Sequence, residues 1–175
     1  MSEPRGDYLH RLHTAERLLP DLLDDRSHWK GLDVLYHAPR VERVWMQFAG
    51  GPMRISLHVI HKAGHDECLY HPHPWPSAMR IVHGGYEMGI GYGSGVEAPP
   101  EACRVILTAG SEYEMANPDG WHFVCPTSPI SLSLMVSGMP WNREMPVEPD
   151  KAELPPLSDE RIHQILELFK TFYPK

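Results

Sequence analysis

From Arg40 to Val136 the chain is cut into short runs that alternate apolar and polar residues or gather β-branched ones, with glycine and proline marking many of the breaks. Runs this short cannot carry long helices, and their pattern is that of strands joined by tight turns. Residues 40–48 (RVERVWMQF) and 53–61 (MRISLHVIH) flank Gly50-Gly51-Pro52, which reads as a hairpin turn. Residues 78–83 and 86–92 flank Gly84-Gly85 in the same way. Further strands are expected at 103–108, 113–116, 122–125 and 130–136. Eighteen prolines and 14 glycines in 175 residues supply the turns that an all-β chain of many short strands requires. The expected architecture is a sandwich or barrel.

Helical spacing is confined to the two ends. Leu9, Leu12, Ala15, Leu18, Leu19, Leu22 and Leu23 form one apolar stripe, which Pro20 is expected to break into two short helices. Ser158 is a good N-cap before Asp159 and Glu160, and Ile162, Ile165, Leu166, Phe169 and Phe172 repeat behind it. Both stripes read as packing faces. One domain follows, with a helical arm over 1–30, a barrel over about 40–140 and a terminal helix over 158–173. The proline-rich, acidic stretch 142–157 is expected to cross the surface without regular structure. There is no internal repeat and no interdomain linker.

Composition excludes several classes. The net charge of −7 offers no basic excess to neutralise phosphates, which argues against nucleic acid as a partner. No apolar run approaches the roughly 18–20 residues that span a bilayer. The first ten residues lack the apolar core of a signal peptide, and the three cysteines at 68, 103 and 125 form neither a disulfide framework nor a metal knuckle. A reducing cytoplasm is the expected location.

The chemistry concentrates in histidine. Twelve are present, with a cluster between His58 and His83. His71 and His73 are two apart, so in extended chain both imidazoles face one side and can reach one ion. About 50 residues on, Gly110-SEYEMAN-Pro118-Asp119-Gly120-Trp121-His122 leads into an apolar strand. These two segments resemble the paired motifs of the cupin superfamily. Gly64, His71, His73 and Gly85 match the first motif, and Gly110, Pro118, Gly120 and His122 match the second. The resemblance covers roughly residues 40–137. It implies a single cupin-type jelly-roll β-barrel with helices at its ends, and one divalent metal held by His71, His73 and His122. It also implies a homodimer, because such barrels commonly pair through an edge strand.

One position departs from the pattern. The glutamate of the first motif should fall near Ser77 or Ala78, and neither is a good ligand. Either the site has three histidines, or Glu87, His83 or His58 supplies a fourth ligand, or the metal has been lost. If Ala78 occupies the glutamate slot, Arg80 and Val82 point into the barrel and Arg80 becomes a clamp for an acidic substrate. If the register is off by one, Met79, Ile81 and His83 point inward, and His83 becomes a general base. Tyr86, Met88, Ile90 and Tyr92 share one face, with the Tyr86 hydroxyl the one able to reach the cavity. His58 and His61 lie on opposite faces of their strand. Trp75 and Trp121 sit within two residues of proposed ligands and read as shields or as packing, while Cys68 and Cys125 read as inert thiols.

The function expected first is a non-haem metal dioxygenase acting on a small organic substrate, with Arg80, His83 and Tyr86 as its catalytic side chains. Iron suits that chemistry best, although imidazole also binds zinc, nickel or manganese. A metal-dependent lyase or isomerase of a sugar or small acid is the second expectation, and a non-enzymatic binding module the third.

Overall fold

A computed structural model gives the architecture and describes residues 7–48, 51–146 and 154–175. Helix α1 (Tyr8–Leu22) leads into ten strands: β1 (Lys30–Val34), β2 (Val41–Gln47), β3 (Arg54–His61), β4 (His71–Pro72), β5 (Ser77–His83), β6 (Gly85–Tyr92), β7 (Cys103–Thr108), β8 (Glu112–Met115), β9 (Gly120–Pro126) and β10 (Ile130–Ser137). Helix α2 (Asp159–Lys170) closes the chain. A six-stranded sheet runs β1-β2-β3-β10-β5-β8 and faces a four-stranded sheet ordered β4-β9-β6-β7. All pairings within the sheets are antiparallel. The all-β expectation therefore holds: two antiparallel sheets packed face to face, with helices at both ends.

The strands divide their side chains by parity. On the six-stranded sheet Val44, Met46, Leu57, Val59, Ala78, Leu134 and Val136 face outward into the larger core, which α1 and α2 cover. Leu12, Ala15 and Leu19 of α1 and Ile162, Ile165, Leu166 and Phe169 of α2 are buried in it. Each such side chain contributes on the order of 1.5–3 kcal/mol by leaving water. Inside the barrel a smaller cluster of Val34, Val41, Ile60, Ile81, Tyr86 and Met88 leaves room for a cavity. Turns rest on glycines with positive φ where a side chain would strain the backbone: Gly84 (+70°) between β5 and β6, and Gly110 (+89°) between β7 and β8.

Three local expectations are corrected. Helix α1 runs through Pro20 unbroken. The proline removes one backbone donor in the last full turn, and the burial of Leu19 and Leu23 on either side holds that turn in place. The barrel begins earlier than residue 40, because Lys30–Val34 pairs with β2 as an edge strand. Part of the stretch 142–157 also returns to the barrel: the Asp33 amide donates to the Pro155 carbonyl, and Leu32 bridges Pro156. Residues 147–153 of that stretch lie outside the described residues, as do Ala49 and Gly50 at the first expected turn. Among the described residues, no helix is long and apolar enough to cross a membrane.

Candidate metal centre

Strand β4 is only two residues long, and it pairs His71 with His122 and Pro72 with Trp121 of β9. That pairing closes the distance between the two histidine motifs. His73 follows directly, and its ring centroid lies 4.4 Å from that of His122; His71 and His122 are 5.1 Å apart and His71 and His73 5.8 Å. One ring nitrogen from each of the three falls within 4.8 Å of the others, an arrangement able to hold a single ion. His73 and His122 are buried and His71 is half-buried.

The rings are held from behind. The Leu69 carbonyl accepts from His71 Nδ1 at 2.9 Å, His73 Nδ1 lies 3.1 Å from Ser77 Oγ, and His122 Nδ1 lies 3.5 Å from Met88 Sδ. A proton on Nδ1 of His71, where the partner is a carbonyl, makes Nε2 the lone-pair nitrogen. Burial, followed by the neighbouring histidines, holds His73 down at about 3 and His122 well below the usual imidazole range. Both are therefore neutral and ready to donate a lone pair.

The three histidines form part of the wall of a cavity of about 330 Å³ between the sheets. Val34, Val41, Ile60, Leu69 and Val124 give it an apolar lining, and Arg43, His58, Tyr86 and Tyr113 add polar groups. No carboxylate lines it among the described residues. The Tyr86 hydroxyl donates to the Tyr113 hydroxyl at 3.0 Å, and that of Tyr113 donates to Met79 Sδ at 2.6 Å. Burial raises the pKa of both phenols.

Strand β5 settles the register. Its outward residues include Ala78 and Val82, which join the helix-side core, while Met79 and Ile81 line the interior. Arg80 is consequently no substrate clamp: it faces α1, where Nε pairs with Glu16 at 2.7 Å and the far end of the guanidinium pairs with Glu112. His83 does not point inward either. A bulge at Val82, where the pairing to β10 shifts between Leu132 and Ser133, turns His83 outward to an exposed place 5.7 Å from the ring of Phe172. His83 thus has no access to the cavity as a base or ligand.

The other candidates for a fourth ligand are also accounted for. Glu87 lies on the outer face of the four-stranded sheet, bonded to Arg104 and His65. His58 is inside the barrel, but both its nitrogens are engaged, Nε2 by Arg43 at 3.0 Å and Nδ1 by Ser133 at 3.3 Å. Trp75 lines the cavity; Trp121 is buried against Tyr70 and donates its indole N–H to the Gly93 carbonyl at 2.9 Å. Cys68, pushed up to about 12 by burial and by the adjacent Cys125, remains a protonated thiol. Sequence reasoning missed Arg43, Tyr113 and His37, whose ring lies 5.8 Å from that of His71.

No protein-family description matches the chain, and no curated protein matches it. Solved structures do show likeness. Hydroxypropylphosphonic acid epoxidase from S. wedmorenis superposes with a TM-score of 0.47 at 11% identity over 61% of this chain and 53% of that one. AerE from Microcystis aeruginosa gives 0.46 at 16% identity over 75% and 54%. An RmlC-like cupin from Shewanella frigidimarina gives 0.44 at 15% identity over 67% and 88%. The matched part spans about half the length of the epoxidase chains.

Proposed function

We propose that this protein is a metal-dependent enzyme of the non-haem iron type, a dioxygenase acting on a small organic molecule held between the two sheets. The observation that carries this reading is the meeting of His71, His73 and His122 in the wall of a cavity that no described carboxylate enters. The donor set fits a divalent ion: three imidazoles, two of them held neutral by burial, with their Nδ1 sides turned to protein partners. Such an ion, when bound, keeps its full positive charge and open coordination positions, and iron there would supply redox chemistry toward dioxygen.

The protein's own groups do the rest. Tyr86 keeps its proton, because burial and the Tyr113 hydroxyl disfavour the phenolate. Its hydrogen bond goes to the Tyr113 hydroxyl, so it orders the polar wall of the cavity and does not act as a base. The apolar lining removes water from the reacting molecule.

Elemental analysis of protein purified without added metal tests the centre. One ion per chain is expected in wild type, and loss of it in His71→Ala and in His122→Ala. Unchanged metal content in both variants would remove the site. Oxygen uptake with ferrous protein over a panel of small organic acids, diketones and aromatics tests the reaction class. Turnover supported by zinc without oxygen would replace the oxygenase reading with a Lewis-acid lyase or isomerase.

A further inference from the structure

Among the described residues, Arg43 is a guanidinium on the cavity wall that no carboxylate meets. The chain pairs its other structural arginines with care: Arg40 with Asp33, Arg80 with Glu16 and Glu112, Arg104 with Glu87 and Glu101, Arg161 with Glu42. Arg43 lies in the middle of β2, opposite His58 on β3 and Leu32 on β1, and lines the cavity. Among the described residues it has no ion pair, and its one hydrogen bond runs from Nε to His58 Nε2 at 3.0 Å. It is half-buried by surface and lines the cavity wall.

Burying a cation without a carboxylate is costly, and the cost is recovered only when something negative arrives. The Nε bond fixes the plane of the guanidinium, because His58 is itself held by Ser133. That leaves the two terminal amino groups as a rigid fork, the geometry that matches a pair of oxyanion oxygens. Trp75, in the same wall, has a buried indole N–H that meets no acceptor among the described residues. Donors collect here and acceptors with charge do not. In a chain of net charge −7 with 23 Asp and Glu, no carboxylate lines this cavity among the described residues.

We propose that Arg43 anchors the oxyanion of a small organic acid, so that the cavity takes molecules with a carboxylate or phosphonate head and an apolar body. This rests on the reading of the same cavity as the substrate site, and it replaces the clamp expected at Arg80. Arg54, exposed and stacked over Trp45 at 4.8 Å, borders the same cavity and adds positive potential at its edge.

The test separates the anchor from the metal. The full chain, stripped of metal by chelation, is titrated with benzoate, hexanoate, their amides and phenylphosphonate, read by calorimetry and by the nitrogen NMR shift of arginine Nε. Acids are expected to bind at least about tenfold more tightly than their amides, with the Arg43 signal moving. Arg43→Gln is expected to abolish that preference, and Arg43→Lys to retain part of it. Whether benzoate or phenylphosphonate binds more tightly assigns the oxyanion. Equal binding of acid and amide to wild type, no anion binding at all, or an undiminished preference in Arg43→Gln would overturn the proposal. If the Gln variant does not fold, the wild-type comparison and the Lys variant decide. His122→Ala, which lacks one proposed ligand but keeps Arg43, should still prefer acids, so failure of the metal reading remains distinguishable from failure of this one.

Discussion

Ser77 stands near where a carboxylate would complete a four-ligand site, and its hydroxyl instead meets His73 Nδ1 at 3.1 Å in a fully buried place. The residue that looked like a vacancy in the sequence thus meets the back of a proposed ligand. Ser77→Ala removes a small polar atom without opening a large void, so the fold should persist while His73 loses its orienting partner. Removal of such a partner typically lowers metal affinity about 10–100-fold, and competition with a chromogenic chelator would measure it. Unchanged affinity would mean that Ser77 merely fills space. The triad itself was legible because motif spacing fixes it: two histidines two apart, and a third after Pro-x-Gly. Arg43 was not legible, since no motif contains it and strand parity alone cannot say which face of RVERVWMQF is inward. Arg80 was misread for the same reason, with an error of one residue exchanging solvent and cavity.

At the scale of elements the pattern was readable wherever the strand carried its own periodicity. Strands β2, β3, β5, β6, β7 and β10 fall within a residue or two of their expected limits because they alternate and end at turn residues. Strand β1, KGLDV, was missed: it is five residues long, at the edge, and made a strand mainly by pairing with β2. Its glycine has a physical reason to be there. A Cβ on Gly31 would lie 2.8 Å from Ile162 Cγ1 and 2.9 Å from Leu157 Cβ, so the position lets α2 and its leading segment approach the sheet. Gly31→Ala should push α2 outward and destabilise the protein by about 1–3 kcal/mol, as overpacking does. Urea unfolding would measure this, and faster amide exchange confined to α2 would locate it; a neutral or stabilising substitution would show that the helix docks with slack. The bulge at Val82 was equally illegible, because an inserted residue changes no local propensity.

The molecule as a whole separates stability from chemistry. The larger apolar core lies between the six-stranded sheet and the two helices, while the barrel interior holds the histidines, the arginine and the cavity. Substitutions in the cavity should therefore leave most of the folding energy intact. The junction of helix and sheet depends in turn on one buried carboxylate. Glu42, 3% exposed, accepts from Arg161 of α2 at 2.7 Å and lies 2.9 Å from His61 Nε2, with Arg40 at 3.7 Å. Its hydrogen bonds from Arg161, aided by His61 and by the neighbouring positive charges, lower its pKa from 4.5 to about 2 against the opposing effect of burial. Because the folded value lies below the unfolded one, its stabilising effect is complete above about pH 4.5 and disappears as pH falls toward 2. Glu42→Gln should lower stability at neutral pH by about 2 kcal/mol, the cost of leaving a charged partner without its acceptor. The difference from wild type should narrow as the pH drops through that window, because wild type then loses the same charge. Denaturant midpoints for both proteins across the acid range would show convergence, whereas a gap independent of pH would mean that the Glu42–Arg161 contact acts through packing alone.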